Sequence, residues 1–204
     1  MLPKRPFGTI IQPDLLLAAY AAGYFPMALG KTGEIRWYSP DPRAVIPLDR
    51  FKISRSLRQT FKKKIFEIRL NTCFEEVMRN CAARAETWIS EEIIQSYLEL
   101  HRLGHAHSIE TWSRQTAGLA GGLYGVALGG AFFGESMFSR TRDASKVAFV
   151  YLVERLRAKE FQLLDAQFIT PHLERFGAVE ISRTQYLHLL NNALQKQRNF
   201  LNDA

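Results

Sequence analysis

The pattern of this sequence predicts a mixed α/β (α+β) protein: a small, loop-rich N-terminal unit followed by a larger domain with a mixed sheet flanked by helices. Three observations carry the prediction. Up to about residue 47 the chain is rich in Pro, Gly and aromatic residues and holds one helical pattern, whereas clear periodicities set in beyond it. The later segments read as helices, then hairpin strands, then helices alternating with strands, in the order ααβββαβαβα, which is the layout of an α/β sandwich. With 47% hydrophobic and 23% charged residues among 204, the chain can bury one core, with or without a small appendage. The expected boundary separates a small domain at 1–43 from a larger one at 44–204.

Each element has its own signal. Residues 14–22 form a helical pattern stopped by Gly23, which accepts a left-handed cap. Helices are expected at 74–83 and after Ser90, a capping residue followed by Glu91 and Glu92, with closure at Gly104. Residues 106–113 alternate, 119–128 are apolar with small residues, and Gly129-Gly130 is a hairpin turn leading into 131–133. Asp143 or Ser145 can cap a helix running to about Lys159, and 161–168 read as a buried strand. Thr170-Pro171 opens a short helix ended by Gly177, 178–181 form a strand, and Thr184 is expected to cap the last helix.

Composition narrows the partners. No apolar run approaches the ~20 residues that cross a bilayer, and Met1 to Pro6 have no apolar stretch after their charges, so a cytoplasmic protein without a membrane partner is expected. The two cysteines, Cys73 and Cys81, are too few for a disulfide framework. A net charge of +7 favours a polyanion. Arg50, Lys52, Arg55, Arg58, Lys62, Lys63 and Lys64 fall in one stretch with no acidic residue before Glu67. Such a stretch reads either as a solvated face or as a phosphate-contacting surface that gains affinity by releasing counterions.

Candidate chemistry is concentrated in two strands. Asp165 and Gln167 are two residues apart, so a regular strand points both to one face. They read as a functional pair at a strand end, with a cap for the turn before Pro171 as the alternative for Asp165. In 134–140, Glu135, Ser136 and Ser139 interrupt an otherwise apolar hairpin strand, and Gly134 lets a ligand approach closely. The alternative there is an edge strand facing water. His101, His105 and His107 lack cysteines or suitably spaced carboxylates, so they read as structural residues and no metal is expected. No nucleophile elbow or phosphate-binding loop is present, and Gly121, Gly122, Gly125, Gly129 and Gly130 belong to a hairpin rather than a helix start.

Longer strings add a resemblance. They are Gly23-Tyr24-Phe25-Pro26, Trp37-Tyr38-Ser39-Pro40-Asp41-Pro42-Arg43, Thr87-Trp88-Ile89, Gly104-His105-Ala106-His107-Ser108-Ile109-Glu110, residues 134–140, Ala144-Ser145-Lys146 and the Asp165-x-Gln167 pair. Over nearly the whole chain this set resembles the leucyl/phenylalanyl-tRNA-protein transferases. The resemblance implies a small N-terminal domain on an acetyltransferase-like (GNAT) domain that works without acetyl-coenzyme A or another cofactor. The glycine-free stretch Thr141-Arg142-Asp143-Ala144-Ser145 agrees, because a coenzyme A pyrophosphate calls for a glycine-rich loop there.

It further implies leucyl-tRNA or phenylalanyl-tRNA as donor and, as acceptor, a protein beginning with Arg or Lys, marked for degradation by the N-end rule pathway. By the same resemblance, Asp165, Gln167 and Glu135 are the catalytic residues. Tyr20, Trp88, Leu123, Gly134, Ser136, Met137, Phe149 and Leu164 bind the donor, with Trp88 and Tyr20 near its adenosine end. Arg55, Arg58, Lys62 and Lys63 meet the tRNA; a monomer is the expected state. Two departures from the family pattern stand out: a shorter segment, Pro6-Phe7-Gly8-Thr9-Ile10-Ile11, before the first helix, and Met27 where some members carry Trp. The rival functions are a small-molecule N-acetyltransferase and a non-catalytic RNA-binding protein.

Overall fold

The structure, a computed structural model, describes residues 10–30 and 33–201. The charged N-terminal residues 1–6 and most of the shorter segment 6–11 lie outside the described residues.

The first part of the chain folds as α1 (Pro13–Ala21), β1 (Phe25–Ala28) and β2 (Ile35–Tyr38). Gly23 ends α1 in the left-handed region at φ 83°, where a Cβ would lie 2.9 Å from Leu187. β1 and β2 pair in a separate antiparallel ribbon. Next come β3 (Arg43–Val45), α2 (Arg55–Lys62) and β4 (Phe66–Leu70). From there the elements follow the expected order: α3 (Phe74–Ala82), α4 (Glu91–Arg102), β5 (Ala106–Ser113), β6 (Leu119–Leu128), β7 (Ala131–Ser139), α5 (Ala144–Ala158), β8 (Leu163–Gln167), α6 (Pro171–Glu174), β9 (Val179–Ile181) and α7 (Arg183–Leu194).

Seven strands form one sheet in the order β4-β5-β6-β7-β8-β3-β9. Every neighbouring pair is antiparallel except β7 and β8, which are parallel and joined through α5. One core cluster packs α1, α3, α4 and α7 on one face through Leu16, Tyr20, Val77, Tyr97 and Tyr186. The other packs α5 on the opposite face through Val147, Phe149, Val150 and Leu156, with Leu57 of α2 at its margin. The result is the mixed-sheet, helix-flanked fold that the sequence predicts. Among the described residues no helix is long and apolar enough to cross a membrane.

Two predicted caps differ. Ser182, not Thr184, caps α7: its hydroxyl accepts the Gln185 N–H at 3.3 Å while the Gln185 side-chain Oε1 accepts the Ser182 N–H at 3.2 Å. The three-residue spacing allows this reciprocal box, and Thr184 falls inside the first turn. Asp143 precedes α5 but takes φ 64° and makes no cap bond. Its carboxylate accepts from Lys146 Nζ at 2.7 Å. Ser145 lies within the helix, and its N–H donates to Ser139 Oγ at 3.3 Å. Strand β4 went unanticipated although Phe66, Ile68 and Leu70 alternate, because the basic run before it hides the period.

Candidate active site

The site begins where two parallel strands part. β7 and β8 pair at Ala131↔Leu163, Phe132↔Leu164 and Phe133↔Asp165, and then separate. Beyond that rung β7 stays with β6, whereas β8 continues beside β3, with Gln167 opposite Ala44. The strands therefore open a wedge. A bulge sharpens it: Gly125 faces Gly134 and Tyr124 faces Ser136, leaving Glu135 as the extra residue of β7. The bulge resets the alternation, so Phe133 and Phe138, five residues apart, both join the first core cluster. A Cβ on Gly134 would meet only the Asp165 carbonyl oxygen, at 3.4 Å, so the space beside this glycine is otherwise empty.

Gln167 and Glu135 bridge the wedge. Gln167 Nε2 donates to Glu135 Oε1 at 2.9 Å. Gln167 holds φ 65°, a left-handed conformation that costs a non-glycine residue about 1–3 kcal/mol unless its surroundings enforce it. The enforcing group is Asp165, whose Oδ1 accepts the Gln167 N–H at 2.8 Å. The Asp165-x-Gln167 pair is thus linked from carboxylate to backbone rather than by two side chains side by side.

Asp165 is fully buried. Its Oδ1 also accepts from Arg43 Nε at 2.9 Å, and its Oδ2 accepts from the second Arg43 nitrogen at 2.6 Å and from the Tyr186 hydroxyl at 2.7 Å. Those four bonds occupy the acceptor capacity of a carboxylate. Arg43 is itself buried between the rings of Phe25 and Tyr186, 4.7 and 4.4 Å from their centres, and donates to the Gly23 carbonyl at 3.1 Å. Burial works against its charge, but the bonds to Asp165 outweigh burial and raise its pKa.

Among the described residues, Glu135 has only neutral donors. Tyr20 donates to Oε1 at 2.7 Å, and the Tyr97 hydroxyl stands against both the Tyr20 oxygen and, at 3.4 Å, Oε2, its single proton serving one of the two. Burial pushes the Glu135 carboxyl up to about 8; the Tyr20 and Tyr97 bonds and the Arg43 charge pull down, and the Asp165 charge pushes up. Burial, reinforced by the Glu135 charge, holds both phenols well above their ordinary pKa, so they remain donors.

Behind the wedge, Leu123, Phe149 and Leu164 are buried in the second core cluster and half-buried Met137 packs against it. Leu123 and Met137 face each other across β6 and β7. Ser136, half-buried, sits against Cys81. Trp88 lies elsewhere, with Met27, Tyr38 and Glu86 in a cleft of about 490 Å³ between the β1–β2 ribbon and the loop joining α3 to α4. Tyr20 does not join it. Its ring is fully buried against Phe133, so it has no face for a base, and its hydroxyl serves Glu135 instead.

Arg55, Arg58 and Lys62 recur at three- and four-residue steps on α2 and line, with Ile53 and Gln59, a surface hollow of about 510 Å³. Exposed Lys63 ends the helix outside that lining. His101 stacks on Phe74 and bonds the Ala106 carbonyl, whereas His107 stacks on Phe200 and meets the Asn71 amide. Among the described residues no group of three His, Cys, Asp or Glu side chains gathers at a metal-sized site.

Three residues of the site were assigned no role from the sequence: Tyr97, Arg43 and Tyr186, the last a core position of α7. Tyr97 sits at helical spacing with Ile93, Ile94 and Leu100 and reads as core. Arg43 belongs to a three-residue strand too short to show a period.

Comparison with known proteins gives the family. The family model described as leucyl/phenylalanyl-tRNA protein transferase matches residues 45–191, and the model of that family's N-terminal domain matches residues 10–41. A leucyl/phenylalanyl-tRNA–protein transferase of Herpetosiphon aurantiacus is 57% identical over 191 residues, covering 93% of this chain and 98% of its own. One of Gloeobacter violaceus is 55% identical over 184 residues, covering 90% of this chain and 94% of its own. Among solved structures, L-PGS from Bacillus licheniformis aligns with 92% of this chain and 72% of its own at 14% identity and a TM-score of 0.45, a likeness too distant to bear on the site. With both family models and relatives of this identity spanning nearly its full length, the chain belongs to the leucyl/phenylalanyl-tRNA–protein transferase family.

Proposed function

We propose that this protein transfers leucine or phenylalanine from a charged tRNA to the N-terminal α-amine of proteins beginning with Arg or Lys, marking them for degradation by the N-end rule pathway. The observation that carries the reading is the Gln167–Glu135 bridge across the wedge; an apolar wall of Leu123, Met137, Phe149 and Leu164 lines the other face of the same strands. The donor side chain rests on that wall, and the half-buried thioether of Met137 adapts to an aliphatic or an aromatic guest. Trp88 lies under the terminal adenosine in the cleft it shares with Met27, while Arg55, Arg58, Lys62 and Lys63 meet the acceptor-stem phosphates.

The chemistry asked of the site is mild. The donor ester is already activated, and an α-amine with a pKa near ~8 is partly neutral at pH 7. Because Gln167 commits its Nε2 to Glu135, its Oε1 is left to accept a hydrogen bond from the attacking amine and aim the lone pair at the ester carbon. The N–C bond forms, the C–O bond to the ribose breaks, and the proton lost by the amine goes to the departing ribose oxygen. Glu135, surrounded by neutral donors, ionises when an ammonium arrives and holds it. Asp165, with its acceptor positions filled, holds Gln167 instead of touching substrate.

The division into residues 1–43 and 44–204, a monomeric state and a cytoplasmic site of action belong to the same proposal. The test supplies leucyl-tRNA and phenylalanyl-tRNA with peptides beginning in Arg, Lys or Asp and scores covalent transfer. Transfer to the Arg and Lys peptides alone is expected; no transfer to any peptide would overturn the reading. Calorimetry with acetyl-coenzyme A, expected to show no binding, tests the rival N-acetyltransferase.

A further inference from the structure

Six groups form a closed circuit through the core of the site. Tyr20 donates to Glu135, Glu135 accepts from Gln167, and Gln167 donates its N–H to Asp165. Asp165 accepts the Arg43 fork, and Arg43 donates to the carbonyl of Gly23, three residues beyond Tyr20. The circuit thus leaves α1 through a side chain and returns to its end through a backbone carbonyl. Phe25, the first residue of the β1–β2 ribbon, lies against the guanidinium.

We propose that Arg43 is a positioning residue for the transfer step, acting through Asp165 to fix the left-handed backbone and the side-chain amide of Gln167, and tying that geometry to the end of α1. The inference rests on the aminoacyl-transfer reading. Asp165 alone cannot set its own orientation: a lone carboxylate at a strand end rotates about two side-chain bonds, whereas a fork of two parallel N–H bonds fixes its plane. Rotation of that plane withdraws Oδ1 from the Gln167 N–H, the bond that enforces φ 65°. Gln167 would then relax to ordinary strand geometry and turn its amide away from Glu135. Arg43 touches no reacting atom. Its effect therefore falls on the orientation of the attacking amine and not on capture of the tRNA.

The experiment compares steady-state transfer by the full chain and four variants, with leucyl-tRNA as donor and an Arg-initiated peptide as acceptor. Arg43→Lys keeps the charge and loses the fork, so kcat is expected to fall on the order of 10- to 100-fold, the range that a small misplacement costs, with the tRNA KM within about 2-fold of wild type. If Arg43 acts through Asp165, the double variant Arg43→Lys/Asp165→Asn is no slower than Asp165→Asn alone, because both remove one unit. A purely structural role instead leaves kcat per folded molecule unchanged. Tyr186→Phe keeps the ring beside the guanidinium and removes only the hydroxyl shared by Arg43 and Asp165, so it decides the matter should Arg43→Lys not fold. Its kcat is expected to fall several-fold at unchanged KM. An unchanged kcat in Arg43→Lys or in Tyr186→Phe, or multiplying losses in the double variant, overturns the proposal; absence of transfer by wild type overturns the transfer reading instead.

Discussion

Asp165 and Glu135 stand on opposite sides of one wedge, and the protein treats them in opposite ways. Asp165, at the end of β8, is met by a guanidinium, a phenol and a backbone N–H that together take every acceptor position. Glu135, in the bulge of β7, receives two phenols and an amide and no cation, and its carboxyl is pushed up to about 8. A buried charge that is paired and fully bonded is rigid and suited to holding a neighbour. One stabilised by neutral donors alone sits near the point where its proton is lost, which is what a site must do to greet an arriving ammonium.

The largest expected effect breaks this asymmetry. Asp165→Ala strands Arg43 without its partner in the core, a change expected to cost about 3–5 kcal/mol of stability and to slow transfer on the order of 100-fold. Glu135→Gln keeps the shape and leaves no buried cation unpaired, so its stability at neutral pH should stay within about 1 kcal/mol of wild type while transfer falls. Urea unfolding with transfer rates reads both, and equal destabilisation by the two would erase the difference between the carboxylates.

Titration sharpens the same comparison. The folded pKa of Glu135, about 8, lies above its ordinary 4.5, so the folded state holds a proton that the unfolded chain releases between those values. That contribution is fully present below about 4.5 and is lost as pH rises through about 8, at up to about 1.4 kcal/mol per pH unit. Thermal unfolding at pH 6 and pH 9 should show a smaller decline in Glu135→Gln than in wild type; identical declines would place the shift elsewhere.

The apolar wall should respond independently of either carboxylate. Met137→Ala empties a half-buried position, with an expected cost of about 1–2 kcal/mol, below that of a fully buried methionine, and a shift in the leucine-to-phenylalanine donor ratio. Competition between the two charged tRNAs measures that shift, and an unchanged ratio would remove Met137 from the donor wall. Smallest is the effect of Arg58→Ala on α2, a few-fold loss of tRNA affinity with the salt slope reduced by about one. Unaltered slope in a filter-binding series would detach α2 from the tRNA.

Much of the fold was legible because its long elements repeat their signals: α4 between Ser90 and Gly104, and the β6–β7 hairpin around Gly129-Gly130. The β1–β2 ribbon and β3 span three or four residues each, too few for a period to appear. In the site, spacing alone pointed to Asp165 and Gln167, and Glu135 stood out as a carboxylate in an apolar strand. Nothing local announced Arg43, whose counterion lies 122 residues away. Nor did anything announce the phenol of Tyr97, hidden in a helix pattern that any core residue would satisfy.

Local chemistry was thus enough to set the first helix and the longer helices and strands from α3 onward, where glycines end them, and which polar side chains interrupt apolar strands, since these depend on backbone sterics and near neighbours along the chain. Assembly settled the rest. The parting of β7 from β8, the left-handed turn of Gln167, and the choice of a guanidinium for one carboxylate and phenols for the other come from contacts between residues far apart in sequence. Their energies exist only once the sheet and its two helical layers have brought those residues together.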